Sequence, residues 1–295
     1  MTINALIQIL NFFLIYSFLG WVVEVAYHGV CQGVVVNRGF LNGPVCPIYG
    51  FGMLLILYVL LPISDNLLVL FLGGMLLTTA IELFGGWILE KLFHMRWWDY
   101  SKEPLNLHGY ICLKFSLAWG MGVVAIVRII HPIVHNISRF VLRTPLKFIL
   151  IPFMILFLVD IIATVATILN LKKELLTLEH LAKEMREFSD SMTEVIGGKA
   201  HEIDVKFDEG RVQAALGKAE LMQQLEERRE KIEQEFDERR RQIEQIQTRI
   251  HANKLCGYGR ILAAFPHAVV TRRNVSLKEF IENHRVSEIT WRIKQ

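Results

Sequence analysis

Apolar and polar positions divide this chain into two halves. Residues 1–169 carry five long, non-alternating apolar runs, at about 3–26, 44–63, 66–90, 109–131 and 146–169, whereas residues 170–295 are dominated by charge. Crossing about 30 Å of hydrocarbon at 1.5 Å per residue takes roughly 20 apolar residues. Each run meets that length. Backbone groups in hydrocarbon must be satisfied within the segment, so runs of this kind predict helices and not barrel strands. The expected fold is all-α: a polytopic bundle of about five transmembrane helices at 1–169, followed by a cytoplasmic coiled-coil tail. The first run lacks a basic flank and a small-residue cleavage site, and is expected to remain as a mature helix.

In the polar half, one heptad seam runs Leu171, Leu178, Met185, Met192 with Leu175, Ala182, Ser189, Ile196, and Gly197-Gly198 is expected to break the helix. A second seam runs Met222, Leu225, Arg229, Ile232, Phe236, Arg239, Ile243, Ile246, Ile250, apolar at seven of its nine positions. The two arginines weaken the seam and favour a particular register or an acidic partner residue. The seams are expected to pack as an antiparallel pair or with a second subunit. Between them Ile203, Val205 and Phe207 alternate with charge, the pattern of a short strand or hairpin. The coiled-coil region spans 170–253. A small basic segment, 254–295, follows, with Lys254, Arg260, Arg272, Arg273, Lys278, Arg285, Arg292 and Lys294 against few acids. It suits an anionic membrane face or a small folded cap, and Ser276-x-x-Glu279 opens an amphipathic helix with Leu277, Phe280 and Ile281 inward.

Charge sets the orientation. With the N-terminus outside, the inner side receives Arg38, Lys91, Arg96, Lys102 and Lys172-Lys173, which satisfies the positive-inside rule and leaves the tail in the cytoplasm. Arg128, Arg139, Arg143 and Lys147 then fall on the outer side, against the rule, and 132–145 becomes a candidate interfacial stretch. Net charge is only +3 and selects no partner class. Cys31, Cys46, Cys112 and Cys256 have neither disulfide-framework nor zinc spacing.

Three acids interrupt the spans, where a charge is costly and faces protein or water. Glu24 shares a helix face with Ser17, Gly20 and His28; Glu82 with Gly74, Thr78 and Gly85; Asp160 with Ala163, Thr164 and Thr167. Such stripes allow close helix approach and interhelical hydrogen bonds. The acids form a polar interior for an ion, proton or polar substrate, or else they are structural hydrogen-bond partners. Arg38 can pair with Glu24, bind lipid phosphate or only set topology. Trp97, Trp98 and Tyr100 have the character of interfacial anchors, and with Asp99 and Asn106 they are candidate ligand contacts.

Gly20-Trp21-x-x-Glu24, Asn37-Arg38-Gly39-Phe40-Leu41-x-Gly43-Pro44-x-Cys46-Pro47-x-Tyr49-Gly50, Glu82, Glu90, Trp97-Trp98-Asp99-Tyr100-Ser101, Pro104-x-Asn106, Gly109 and Ile111-Cys112-Leu113 occur in this order. In these motifs the chain resembles the bacterial membrane family labelled putative ABC-transporter type IV, or CmpB-like permeases, over roughly 10–165. The resemblance implies a permease-like subunit in the bacterial plasma membrane. No Gly-x-x-x-x-Gly-Lys-Ser/Thr loop is present, because Lys199 precedes Ala200 and Gly217-Lys218 lacks the upstream glycine, so any ATPase is expected on a separate chain. A membrane-anchored coiled-coil scaffold or regulatory protein of the envelope is the alternative. Asp99, His108, Cys46 and Glu90 show no nucleophile–base or metal spacing, and neither enzymatic activity, cofactor, metal nor nucleic acid is expected.

Overall fold

The structure is a computed structural model of the chain, and it describes residues 3–205, 213–252, 257–265, 267–271, 273 and 275–284. Residues 1–169 form one compact unit together with 253–278, and residues 170–252 form a second with 279–295. The basic C-terminal segment, read from sequence as one piece, is therefore divided between the two.

In the first unit α1 (Ile3–Gln32) leads through an irregular loop to α2 (Pro47–Leu60), which a 3-10 turn extends to Ile63. Pro47 opens α2, where its missing N–H costs no helical bond, and the Cys46 N–H is donated to the Ser17 carbonyl at 2.9 Å. α3 (Leu67–Phe93) starts on Asn66, whose side-chain oxygen accepts from the N–H groups of Leu68 (3.0 Å) and Val69 (3.2 Å). It ends on His94 in the left-handed region, and β1 (Met95–Arg96) follows. A hairpin of β2 (Asn106–Leu107) and β3 (Ile111–Cys112) then delivers the chain to α4 (Leu113–Ala125).

α4 continues through a π turn at Ile126–Ile130 into α5 (His131–Arg143), giving an unbroken helix of 31 residues. The fourth span thus begins at Leu113 and does not stop near 131. Pro132 cannot donate to the preceding turn, and the wider π turn accommodates it without ending the helix. Residues 132–143 thus continue the helix of α4. His131 and Ser138 of α5 face α1, with Asn11 donating to Ser138 Oγ at 3.1 Å and the Tyr16 hydroxyl 2.8 Å from His131 Nδ1, while Asn136, Arg139 and Arg143 are exposed. Arg128 donates to the Asp65 carbonyl at 3.4 Å.

α6 (Leu150–Val205) begins as the last apolar span and runs on into the charged half. Four helical stretches, Ile3–Gln32, Leu67–Phe93, Leu113–Arg143 and Pro145–Glu187, are long and apolar enough to cross a membrane; Pro47–Ile63 is apolar but shorter. Tyr16, Met53, Leu57, Leu70, Val123, Val127 and Val134 form one buried cluster and Phe13, Leu41 and Phe157 a second. Outside these cores Leu72, Leu76 and Phe84 of α3 and Ile151, Ile155 and Ile162 of α6 are exposed, apolar side chains that belong against lipid.

α8 (Tyr258–Ala264) is followed by β4 (Val269–Val270) and β5 (Val275–Ser276). β4 lies antiparallel between β1 and β5, with Met95 opposite Val270 and Arg96 opposite Val269. A strand from the far end of the chain therefore completes a sheet begun at the end of α3.

In the second unit α6 and α7 (Gln213–His251) lie antiparallel, since Arg239 Nε meets Glu184 at 3.3 Å and Arg249 meets Glu174 at 3.1 Å. Leu171, Leu175, Leu178, Ala182 and Met185 are buried, as are Ile243, Ile246 and Ile250. Arg239 has thus found its acidic partner within the chain. Gly197-Gly198 does not break α6, because a helix-interior glycine costs only about 1 kcal/mol relative to alanine, and Ile203 and Val205 are helical. α9 (Leu277–Asn283) starts directly after Ser276, with Leu277, Phe280 and Ile281 buried. The seam side chains Ser189, Met192, Ile196, Met222, Leu225, Arg229 and Ile232 lie outside the described residues. So do Phe207, Cys256, Lys254, Arg272, Arg285, Arg292 and Lys294.

Candidate functional site

Helix packing brings Glu24 of α1 and Glu82 of α3 to a shared aromatic cluster. Tyr49, in the first turn of α2, donates its hydroxyl to Glu24 Oε1 at 2.6 Å. Its ring meets Trp119 of α4 edge to face, with centroids 5.8 Å apart. The Trp119 indole stands beside the Glu82 carboxylate. Tyr100, from the loop after β1, donates to Glu82 Oε1 at 2.9 Å and stacks on Phe115. The second oxygen, Glu82 Oε2, is buried and accepts no well-formed hydrogen bond among the described residues. One glutamate is therefore held by a single hydroxyl with a cation nearby, while the other keeps one oxygen without a well-formed hydrogen bond.

Gly20 makes the arrangement possible. An added Cβ there would run into the Tyr49 ring, so only glycine lets α2 approach closely enough for the Tyr49–Glu24 bond. Arg38 stands over the other face of Glu24, with Nε 3.9 Å from Oε2, and donates to the Ala264 carbonyl at 3.0 Å. Both members of that ion pair are partly exposed, which limits its strength to roughly 1 kcal/mol or less.

Asp160 belongs to a different cluster. Its Oδ1 accepts from the Asn42 N–H (3.1 Å), the Asn42 amide (2.9 Å) and Thr164 (3.3 Å), and its Oδ2 from the Gly43 N–H (2.7 Å). This carboxylate holds the loop between α1 and α2. Asn37 holds the same loop from within, accepting from Trp21 (2.7 Å) and the Gly39 N–H (3.0 Å) and donating to the Asn42 carbonyl (2.7 Å).

The aromatic loop after α3 is folded upon itself and upon the bundle. Trp97 is buried among Phe40, Phe93 and Phe265, with centroids 5.5, 6.2 and 4.8 Å away. Trp98 donates to the Tyr110 carbonyl at 2.9 Å. Asp99 accepts from the Ser101 N–H at 2.9 Å and from the Ser101 hydroxyl, while Asn106 donates to the Glu103 carbonyl at 2.8 Å and accepts from the Gly109 N–H at 3.1 Å. Gly109 sits at φ +75°, and a Cβ there would meet Asp99 and Ser101. Of the five residues singled out in this loop, Tyr100 is the one that reaches a membrane acid. Burial, then the charge and hydrogen bond of Glu82, push its hydroxyl well above the ordinary tyrosine range. Arg96 loses solvation, but the hydrogen bond and charge of Glu90, at 2.7 Å, outweigh that and raise its pKa.

Tyr49, Trp119 and Arg260 were not marked by sequence reasoning as parts of a site. Tyr49 lies within the Pro47-x-Tyr49-Gly50 motif, so a signal existed for it. Trp119 resembles any aromatic on an apolar helix.

A family described as Putative ABC-transporter type IV matches residues 11–165, a stretch that contains both glutamates, Asp160, Arg38 and both organising loops. The chain belongs to that family. No curated protein and no solved structure matches it. Within this member of the Putative ABC-transporter type IV family, the matched stretch ends before Arg260 and β4, which complete the first unit from outside it.

Proposed function

We propose that the chain is the membrane subunit of a transport system in the bacterial plasma membrane, with Glu24 and Glu82 as its polar centre and with ATP hydrolysis, where it occurs, supplied by a separate chain. The observation that carries this reading is the buried Oε2 of Glu82, which lies beside the Trp119 indole without a well-formed hydrogen bond, in an aromatic setting built from α2, α4 and the Trp97–Ser101 loop. A purely structural carboxylate is expected to use both oxygens, as Asp160 does. This Glu82 oxygen is suited to a proton, a cation or a donor group on a polar substrate. The chain itself performs no covalent chemistry in this reading.

Positive-inside logic supports a cytoplasmic location for the C-terminal segment, because Arg38 and Arg96 belong to the same end of the bundle as β4 and Ala264. A scaffold reading draws support from one observation, the antiparallel α6–α7 pair with its two ion pairs, which offers long exposed charged faces to partners. Glu82→Gln separates the two. The amide keeps the Tyr100 bond and sets its NH2 where Oε2 was unpaired, so membrane abundance is expected to stay at the wild-type level. Complementation of the deletion strain is expected to fail. Full complementation by Glu82→Gln and Glu24→Gln overturns the transport centre and favours the scaffold.

A further inference from the structure

Arg260 is a charged residue with only 2% of its surface exposed, and it contacts a loop 221 residues earlier in the chain. Its guanidinium donates to the Gly39 carbonyl (2.9 Å), the Phe40 carbonyl (3.0 Å) and the Asn42 side-chain oxygen (3.0 Å). Asn42 is the residue that Asp160 and Thr164 hold from the other side. Four residues on, Ala264 accepts from Arg38, the Phe265 ring lies 5.5 Å from the Arg38 guanidinium and packs on Trp97, and β4 pairs with β1. The segment thus grips both organising loops at once and fixes the arginine that stands over Glu24.

We propose that the segment carrying Arg260, Phe265 and β4 is a releasable latch, locked by Arg260, that braces the Gly39–Asn42 loop and holds Arg38 over Glu24. Two properties support release. The β1–β4 ladder is two residues long, which places it among the elements that open first. The acceptors of Arg260 are carbonyl and amide oxygens, groups that a departing guanidinium exchanges for water. When the latch leaves, Arg38 loses the Ala264 carbonyl and the Phe265 ring, and the Gly39–Asn42 loop loses its outer support. The latch rests on this geometry alone and holds whatever the centre carries.

The native cysteines report on it. Cys46 is a buried free thiol at the N-cap of α2, Cys112 is buried in the β2–β3 hairpin, and Cys31 is exposed. The full chain in mild detergent is treated with a small water-soluble maleimide, and the label on each cysteine is followed by peptide mass spectrometry. Cys31 reacts at once in every sample. In Arg260→Ala, Cys46 is expected to react at least about tenfold faster than in the wild type, as expected from the loss of charge-assisted hydrogen bonds, while Cys112 stays protected. Met95→Cys with Val270→Cys, oxidised, joins β1 to β4 at their facing positions, and in the Arg260→Ala chain it is expected to return Cys46 to near its wild-type rate. Unchanged Cys46 protection in Arg260→Ala overturns the latch. So does a joint rise of Cys46 and Cys112, which means general loosening, or a tether that restores nothing.

Discussion

Asp160 offers the sharpest test of which membrane acids are structural. Its two oxygens do different work: Oδ1 takes three donors from Asn42 and Thr164, and Oδ2 takes the Gly43 N–H at 2.7 Å. In Asp160→Asn the amide oxygen keeps the first three, but its NH2 then faces the Gly43 N–H, donor against donor. A hydrogen bond to a charged group contributes about 1.5–3 kcal/mol, so the expected loss is about 2 kcal/mol. Asp160→Ala removes all four bonds, and because neighbouring losses do not add, the expected cost is about 3–5 kcal/mol. At about 2–4 °C per kcal/mol for a domain of this size, the asparagine variant melts roughly 4–8 °C lower and the alanine variant roughly 6–20 °C lower. The assay is thermal unfolding in detergent, followed by the exposure of Cys46 and Cys112 to a thiol-reactive fluorophore. A wild-type midpoint for Asp160→Asn, accompanied by loss of function, refutes the reasoning and moves Asp160 into the polar centre.

Gly20→Ala is expected to push the Tyr49 ring aside and cost about 1–3 kcal/mol, and combining it with Tyr49→Ala should give a loss smaller than the sum of the two single losses in the same melt. Tyr100 has a folded pKa raised above its unfolded value, so its contribution to stability is full below about pH 10 and is lost as pH rises beyond that. The melting difference between the wild type and Tyr100→Phe should therefore be constant from pH 7 to about pH 9 and shrink above pH 10; a difference that widens there contradicts the assignment.

Several features were legible because their causes are local. Glu24 was placed on a small-residue face with Ser17 and Gly20, and those residues do pack against α2 through Gly50 and Tyr49. Arg38 was a candidate partner for Glu24 and stands 3.9 Å from it. The resemblance carried by the Asn37–Gly50 and Trp97–Ser101 motifs corresponds to the family match. Other features were not legible. Hydropathy could not report that Pro132 is passed by a π turn, since the pattern on either side of it reads the same for one helix or two. The roles of the two kinds of acid were equally hidden: Asp160 and Glu82 sit on similar stripes, and only the position of the Asn42–Gly43 backbone makes one of them a fully used loop anchor.

By itself, the sequence determined the solvent of each half, the helical class and the membrane-exposed surface. Apolar run length and the need to satisfy every backbone group in hydrocarbon leave no other solution. The tertiary structure decided which polar groups meet. Tyr49 and Trp119 bridge two glutamates on different helices, and Arg260 closes a loop 221 residues away. Such contacts depend on how close two backbones come and on which carbonyls are left unpaired, quantities that arise only when the chain is folded.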